Sequence, residues 1–182
     1  MKARTLVLVA LFAALTVAGA FLRFPTPLVP FTLQIFFTLL AGALLGPRMG
    51  ALSQALYVAI GLIGLPVFAG GTAGGIGYVT TPSFGYLIGM VAGAFVCGLI
   101  AGQDAKPSLP RMLAATFAGL LVIYVVGVSY LYLIMNLYLG KAMSVGTALY
   151  SGFLIFLPLD AVKCVAAALL ARRLRPLLRR PA

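Results

Sequence analysis

Two residues of opposite charge stand inside an otherwise apolar run near the end of the chain. Asp160 and Lys163 occur in the segment LPLDAVK, residues 157–163. Residues three positions apart share one face of a helix, so these side chains can form an ion pair. Charged residues inside membrane-spanning helices usually mark the path of a substrate or an ion. The spacing therefore favours a binding site built on this pair, and the alternative is an ion pair that only stabilises the helix.

A second group of candidate residues contains polar residues, aromatic residues and glycines from three other segments. Small-molecule pockets are mostly apolar walls with a few polar groups that fix the orientation of the ligand. Taken singly, each aromatic residue is equally well explained as an anchor at the membrane surface. Taken together with the charged pair, the group predicts a ligand pocket. Its members are Phe31, Thr32, Gln34, Gly71, Thr72, Gly74, Tyr78 and Tyr86.

The elements that must position these residues are helices in a lipid bilayer. Of the 182 residues, 63% are hydrophobic and only 8% are charged, and the mean hydropathy is +1.16. Apolar runs of about 18 residues, the length that crosses a hydrocarbon core of about 30 Å, recur along the whole length. The composition predicts an all-α integral membrane protein with one transmembrane domain, residues 1–182, and no soluble domain.

Six helices account for the apolar runs. A secretory signal peptide is the alternative for the first run, which is long enough to span the membrane. The glycine-rich segment 66–82 is predicted to be a loop, because a glycine-rich helix is unfavourable. It is expected to fold back into the bundle, because backbone groups that face lipid would lack partners. The run ending at residue 139 exceeds one perpendicular crossing, which indicates a strong tilt or a break near Gly127. The predicted helices are about 5–22, 33–46, 48–65, 83–102, 111–139 and 148–172.

The distribution of lysine and arginine supports this count, because loops rich in these residues stay in the cytoplasm. With six crossings and a cytoplasmic N-terminus, only Arg23 and Lys141 lie outside, and Lys163 lies within the membrane. An odd number of crossings would separate the two terminal charge clusters. The sequence thus predicts that both termini are cytoplasmic. The ten residues placed inside are Lys2, Arg4, Arg48, Lys106, Arg111, Arg172, Arg173, Arg175, Arg179 and Arg180.

Several functions do not fit this composition. The net charge of +11 is explained by membrane-flanking residues rather than by nucleic acid. The chain has no histidine and two acidic residues, so neither a metal site, nor a cofactor site, nor a nucleophile with its base is expected. No GxxxxGK[ST] segment is present, which excludes ATP hydrolysis through a P-loop. A pure scaffold would leave the charged pair unexplained.

Small residues form two stripes at helical spacing. Ala10, Ala14 and Ala18 recur every four positions in the first helix, and a smooth face of this kind lets another helix approach closely. The second stripe, of glycines at 85, 89 and 93 in the fourth helix, is better explained by internal packing. The first stripe is therefore a candidate docking face for a partner protein, and a homo-oligomer is left open.

Four segments, in order along the chain, resemble the BioY family, the biotin-specific S components of energy-coupling factor transporters. They are VPFTLQ at 29–34, GLPVFAGG at 64–71, TPSFGYLIG at 81–89 and PLDAVK at 158–163. The resemblance implies a six-helix protein of the bacterial cytoplasmic (inner) membrane that captures biotin at its external face. It also implies that the alanine stripe docks a transmembrane coupling protein, which recruits two cytoplasmic ATPase subunits.

The chemistry of biotin suits the candidate residues. The ureido ring has two N–H donors, which Asp160 can accept, and one carbonyl acceptor, which Lys163 or Gln34 can serve. Backbone N–H groups of the glycine-rich loop, or the hydroxyl groups of nearby residues, can bind the valerate carboxylate. The alternative substrates are other vitamins such as thiamine or riboflavin, although a cationic ligand would favour several acids and an aromatic cage.

Overall fold

The computed structural model describes residues 3–24, 28–69 and 74–178. The described residues are mostly helical, with one two-stranded hairpin of β1 (Arg23–Phe24) and β2 (Phe31–Thr32), in which Arg23 pairs with Thr32. A 3₁₀ helix covers Ile76–Thr80, and π-helical turns at Ile134–Tyr138 and Tyr150–Leu154 continue α5 and α6. The α-helices are α1 Ala3–Phe21, α2 Gln34–Leu45, α3 Pro47–Leu62, α4 Phe84–Ala101, α5 Leu109–Leu133, α6 Val145–Leu149 and α7 Leu157–Leu178.

Three described helices are long and apolar enough to cross a membrane: α1, α4, and α5 with its π-helical turn. The pair Val145–Leu154 and Leu157–Leu178 makes a fourth if it is taken as one bent span. The apolar helix α2 has 12 residues, and at 1.5 Å per residue it is shorter than the hydrocarbon core of about 30 Å. It packs against α4 and α7, while α4 packs along α5.

One helix was predicted over 148–172, and that expectation is wrong. The structure divides this stretch into α6, its π-helical turn and α7, with a bend of 41° between the two parts. Pro158 lacks an N–H group and cannot donate to the carbonyl of Leu154, so the helical ladder is interrupted at this point. The bend buries Phe156 and Asp160, and both face the cavity described below.

The glycine stripe of α4 is covered by α5. A Cβ atom added at Gly89 would lie 2.8 Å from the carbonyl oxygen of Ile123, and one at Gly93 would lie 2.7 Å from that of Gly119. Such distances are too short for real side chains, so the glycines allow the two helix backbones to touch. This stripe is used for packing within the chain.

The alanine stripe of α1 is open. Ala10, Ala14 and Ala18 are all exposed, while the opposite face of the helix is held by a buried polar cluster. In that cluster Gln54 Oε1 of α3 accepts a hydrogen bond from Thr38 at 2.9 Å, and Gln54 Nε2 donates to the hydroxyl oxygen of Thr16 of α1 at 3.2 Å. In a bilayer the hydrophobic effect gives no driving force between helices, so polar contacts of this kind help to hold them together.

The sequence predicts Arg175 at the membrane surface, but the structure buries it, whereas Arg172 and Arg173 are exposed. The Arg175 side chain is fully buried and donates hydrogen bonds to the carbonyl oxygens of Ala43, Ala101 and Asp104. Ala43 and Ala101 lie at the C-terminal ends of α2 and α4, where carbonyl groups lack partners within the helix and favour a cation. Arg175 thus joins the ends of three helices.

Candidate ligand-binding site

A cavity opens at the end of the bundle where the hairpin meets the bend before α7. The cavity volume is about 50 Å³, which is smaller than the roughly 300–1,000 Å³ of most small-molecule sites. Its walls are mostly apolar. The lining residues are Val29, Pro30, Phe31, Thr32, Gln34, Ile35, Ala69, Tyr78, Ser83, Tyr86, Leu87, Met90, Ile123, Tyr124, Phe156, Asp160 and Lys163.

The charged pair lies in this cavity. Both side chains are buried, Asp160 with 2% and Lys163 with 8% of its surface exposed. The ammonium nitrogen of Lys163 donates to Asp160 Oδ1 at 2.7 Å and to the carbonyl oxygen of Thr32 at 2.5 Å. It also lies 3.7 Å from the centre of the Phe31 ring, a cation–π contact. Lys163 therefore ties the hairpin to α7.

Tyr124 of α5 is the second side chain that forms a hydrogen bond with Asp160. Its hydroxyl group donates to Asp160 Oδ2 at 2.5 Å, so each carboxylate oxygen has one protein donor. An ionised carboxylate has about four lone-pair sites, which leaves acceptor capacity for a ligand. The sequence analysis did not single out Tyr124, because it is a tyrosine within a long apolar run and nothing in its spacing reveals which way it faces.

Thr32 at the end of β2 and Gln34 at the start of α2 form a hydrogen-bonded set with Tyr57 of α3. Thr32 donates to Gln34 Oε1 at 3.0 Å, and Gln34 Nε2 donates to the hydroxyl oxygen of Tyr57 at 2.7 Å. That hydroxyl group donates in turn to the carbonyl oxygen of Val67 at 3.1 Å. Gln34 is thereby held in one orientation at the cavity wall, and Tyr57 is another residue that the sequence analysis missed.

Aromatic side chains form the remaining walls. The rings of Phe31 and Phe156 are stacked, 6.2 Å apart and 7° from parallel. Tyr78 shares a hydrogen bond with Ser83 at 3.0 Å, and Tyr86 donates to the carbonyl oxygen of Gly152 at 2.7 Å. These hydroxyl groups already form hydrogen bonds within the protein, so the tyrosine rings offer mainly apolar surface to a ligand.

Of the predicted pocket residues, seven come together at the cavity. They are Phe31, Thr32, Gln34, Tyr78, Tyr86, Asp160 and Lys163.

The glycine-rich loop is only partly described. Gly71 and Thr72 lie outside the described residues. Gly74 does not belong to the lining; it packs against the end of α3, where an added Cβ would lie 2.5 Å from the carbonyl oxygen of Gly61. A role for the loop backbone in binding a carboxylate therefore remains a prediction.

The arrangement is suited to binding. Hydrogen bonds hold the carboxylate of Asp160, the ammonium group of Lys163 and the amide of Gln34 within apolar and aromatic walls. These three groups offer a ligand both acceptors and donors in fixed directions. Among residues 3–24, 28–69 and 74–178, no group of three or more His, Cys, Asp or Glu side chains is placed to hold a metal ion.

The chain is similar to known proteins in both sequence and structure. A probable biotin transporter BioY of Lysinibacillus sphaericus is 48% identical over 93% of this chain and 86% of its own length. The biotin transporter BioY of Thermotoga maritima is 43% identical over 96% of this chain and 97% of its own. A crystal structure of the S-component for biotin from an ECF-type ABC transporter superposes with a TM-score of 0.79 at 30% identity, over 96% of this chain and 92% of that one.

These relatives are transporters, and the membrane-length helices of this chain agree with a multi-pass membrane protein. The fold is that of an S component of an energy-coupling factor transporter. The sequence profile described as the BioY family matches residues 1–180, and the chain belongs to that family.

Proposed function

We propose that this chain is the S component that captures biotin for uptake across the bacterial cytoplasmic membrane. The observation that carries the proposal is the buried Asp160–Lys163 pair at 2.7 Å, in a cavity with aromatic walls. Biotin needs an acceptor for its ureido N–H groups, a donor for its ureido carbonyl, and apolar surface for its thiophane ring and aliphatic tail. The similarity to a biotin transporter BioY and to the S-component for biotin of an ECF-type ABC transporter supports the same assignment.

The membrane topology we propose has six crossings and both termini in the cytoplasm, within a single transmembrane domain. The spans are α1, α2, α3, α4, α5 with its π-helical turn, and the bent pair α6 and α7. The excess of lysine and arginine on one side supports this orientation. A hydrogen bond of 2.8 Å from Arg4 to the carbonyl oxygen of Leu178 also favours it, because it brings the first and last helices together at one end.

Energy for uptake is supplied, in this proposal, by partner proteins. The chain lacks a GxxxxGK[ST] segment, and the relative of known structure is a component of an ECF-type ABC transporter. The exposed face of Ala10, Ala14 and Ala18 is the proposed docking surface for the transmembrane coupling protein, which brings two cytoplasmic ATPase subunits. Small side chains there allow a second helix to approach closely.

Equilibrium binding of biotin to the purified, detergent-solubilised protein tests the substrate. We expect saturable binding that neither thiamine nor riboflavin displaces. Neither vitamin has the two N–H donors flanking one carbonyl that the ureido ring of biotin presents, and a cationic ligand such as thiamine would favour several acids and an aromatic cage. If a folded preparation binds no biotin, or if either competitor displaces it, the biotin assignment fails.

Replacing Ala14 by leucine tests the docking face. The larger side chain would hold the partner helix away from α1, so we expect co-purification with the coupling protein to fall by about tenfold or more. Biotin binding should be unchanged, because Ala14 is exposed and remote from the cavity lining. Ala166→Leu makes the same change on an exposed position of α7 and should leave assembly intact. Equal assembly of both variants would argue against this docking surface.

A further inference from the structure

The amide of Gln34 is fixed by a hydrogen-bond chain with a defined direction. Gln34 Nε2 lies 2.7 Å from the hydroxyl oxygen of Tyr57, which lies 3.1 Å from the carbonyl oxygen of Val67. A backbone carbonyl can only accept, so the single hydroxyl proton of Tyr57 is committed to Val67. Tyr57 can therefore only accept from Gln34, and the NH₂ end of the amide must face it.

The other end of the amide is held by Thr32. The threonine hydroxyl group donates to Gln34 Oε1 at 3.0 Å and accepts from the backbone N–H of Gln34 at 3.3 Å. All three side chains are buried, and Tyr57 is completely so. Since buried polar groups are costly when they lack partners, this set stabilises one orientation of the amide against the flipped one.

That orientation leaves a donor for the ligand. In the described part of the chain, Gln34 Nε2 has one acceptor, Tyr57, and a primary amide has two N–H groups. Lys163 is less available, because its ammonium group already contacts Asp160, the carbonyl of Thr32 and the face of Phe31. Gln34 is thus a neutral donor with unused capacity at the cavity wall.

We propose that Tyr57, which does not line the cavity, is a positioning residue that sets the specificity of the site through Gln34. By fixing the amide, Tyr57 makes the site select a ligand with an acceptor at that position. This inference rests on the proposed function, in which the acceptor is the ureido carbonyl of biotin. The ureido N–H groups then belong to Asp160.

The proposal predicts the effect of removing one hydroxyl group. In Tyr57→Phe the NH₂ end of Gln34 loses its acceptor, and the cost of leaving it buried and unpaired favours rotation of the amide. The hydroxyl group of Thr32 can accept as well as donate, so it tolerates the flipped amide. The flipped amide presents its oxygen to the ligand and no longer favours a carbonyl over a donor.

The test compares three ligands by equilibrium binding. Biotin and desthiobiotin keep the ureido carbonyl, whereas 2-iminobiotin carries an N–H donor in place of the oxygen. In Tyr57→Phe we expect the ratio of biotin affinity to 2-iminobiotin affinity to fall by about tenfold or more, since a site loses discrimination when its polar groups are no longer fixed. The ratio of biotin to desthiobiotin should stay constant. A purely structural role would weaken all three ligands alike.

Two further variants keep the test decisive. Tyr130→Phe removes another hydroxyl group that donates to a backbone carbonyl, that of Val79, and should leave both ratios unchanged. Gln34→Leu should itself lower the preference for biotin over 2-iminobiotin, and adding Tyr57→Phe to it should have no further effect. An unchanged preference in Tyr57→Phe or in Gln34→Leu would overturn the inference while biotin binding by the unaltered protein stands. Failure of the unaltered protein to bind biotin would instead contradict the proposed function.

Discussion

Asp160→Asn is expected to raise the dissociation constant for biotin by about tenfold or more, because hydrogen bonds to an ionised acceptor are about twice as strong as neutral ones. The carboxylate now accepts from Lys163 on one oxygen and from Tyr124 on the other. An asparagine side chain has one oxygen and one NH₂ group, so one of these donors would face another donor. The change therefore weakens both the ligand contact and the geometry of the site.

Lys163→Ala is expected to weaken binding by a similar factor of about ten or more, because removing one partner of a buried ion pair leaves the other charge uncompensated. Lys163 also holds the hairpin to α7 through the carbonyl of Thr32 and lies against the ring of Phe31. Loss of the side chain frees the segment that carries three of the lining residues, Phe31, Thr32 and Gln34.

Asp104→Asn is the matched control for the acid, since Asp104 is the only other acidic residue of the chain. Its carboxylate is exposed and paired with Arg111, and surface ion pairs contribute little. We expect the Asp104→Asn variant to bind biotin with the affinity of the unaltered protein.

The affinities of all these variants are measured by equilibrium binding, and thermal unfolding verifies that each variant is folded. Unchanged affinity in both Asp160→Asn and Lys163→Ala would remove the pair from the site.

The part of the site that could be predicted from the sequence is the part where a residue type is unusual for its surroundings. Asp160 and Lys163 stand out because charges are rare within apolar runs, and Gln34 stands out because it is a polar amide beside an apolar run. Tyr124 and Tyr57 do not, because tyrosines are common in membrane helices and their roles depend on which helices face each other. That information lies in the packing of α5 against α7 and of α3 against α2.

The fold shows the same division. Apolar runs indicate where α1, α4 and α5 lie, because crossing length and hydropathy are local properties. The bend before α7 was missed although Pro158 was visible, because a proline can also be accommodated within a continuous transmembrane helix. The burial of Arg175 was missed because an arginine after an apolar run usually marks the membrane surface. Its partners, at the ends of α2 and α4, are distant in sequence.

Arg175→Met is expected to lower the free energy of unfolding by about 3 kcal/mol, the largest effect on stability that we predict for a single substitution. The guanidinium group donates through Nε to Ala43 at 2.7 Å and through a terminal nitrogen to Ala101 at 2.9 Å. Methionine has a comparable length but no donor, so these buried carbonyl groups would lose their partner. The ends of α2 and α4 would also lose a stabilising cation.

The two cysteines provide the measurement. Cys97 and Cys164 are free and buried, so a thiol-reactive fluorogenic dye reports the opening of the bundle on heating. A loss of about 3 kcal/mol corresponds to a Tm lowered by about 6–12 °C in a chain of this size.

Arg173→Met removes an exposed arginine of the same helix and should change stability by no more than about 0.5 kcal/mol. Arg175→Lys keeps the charge but cannot bridge two helix ends with a planar fork, so it should recover only part of the loss. A Tm for Arg175→Met equal to that of Arg173→Met would mean that the helix ends are held together by apolar packing alone.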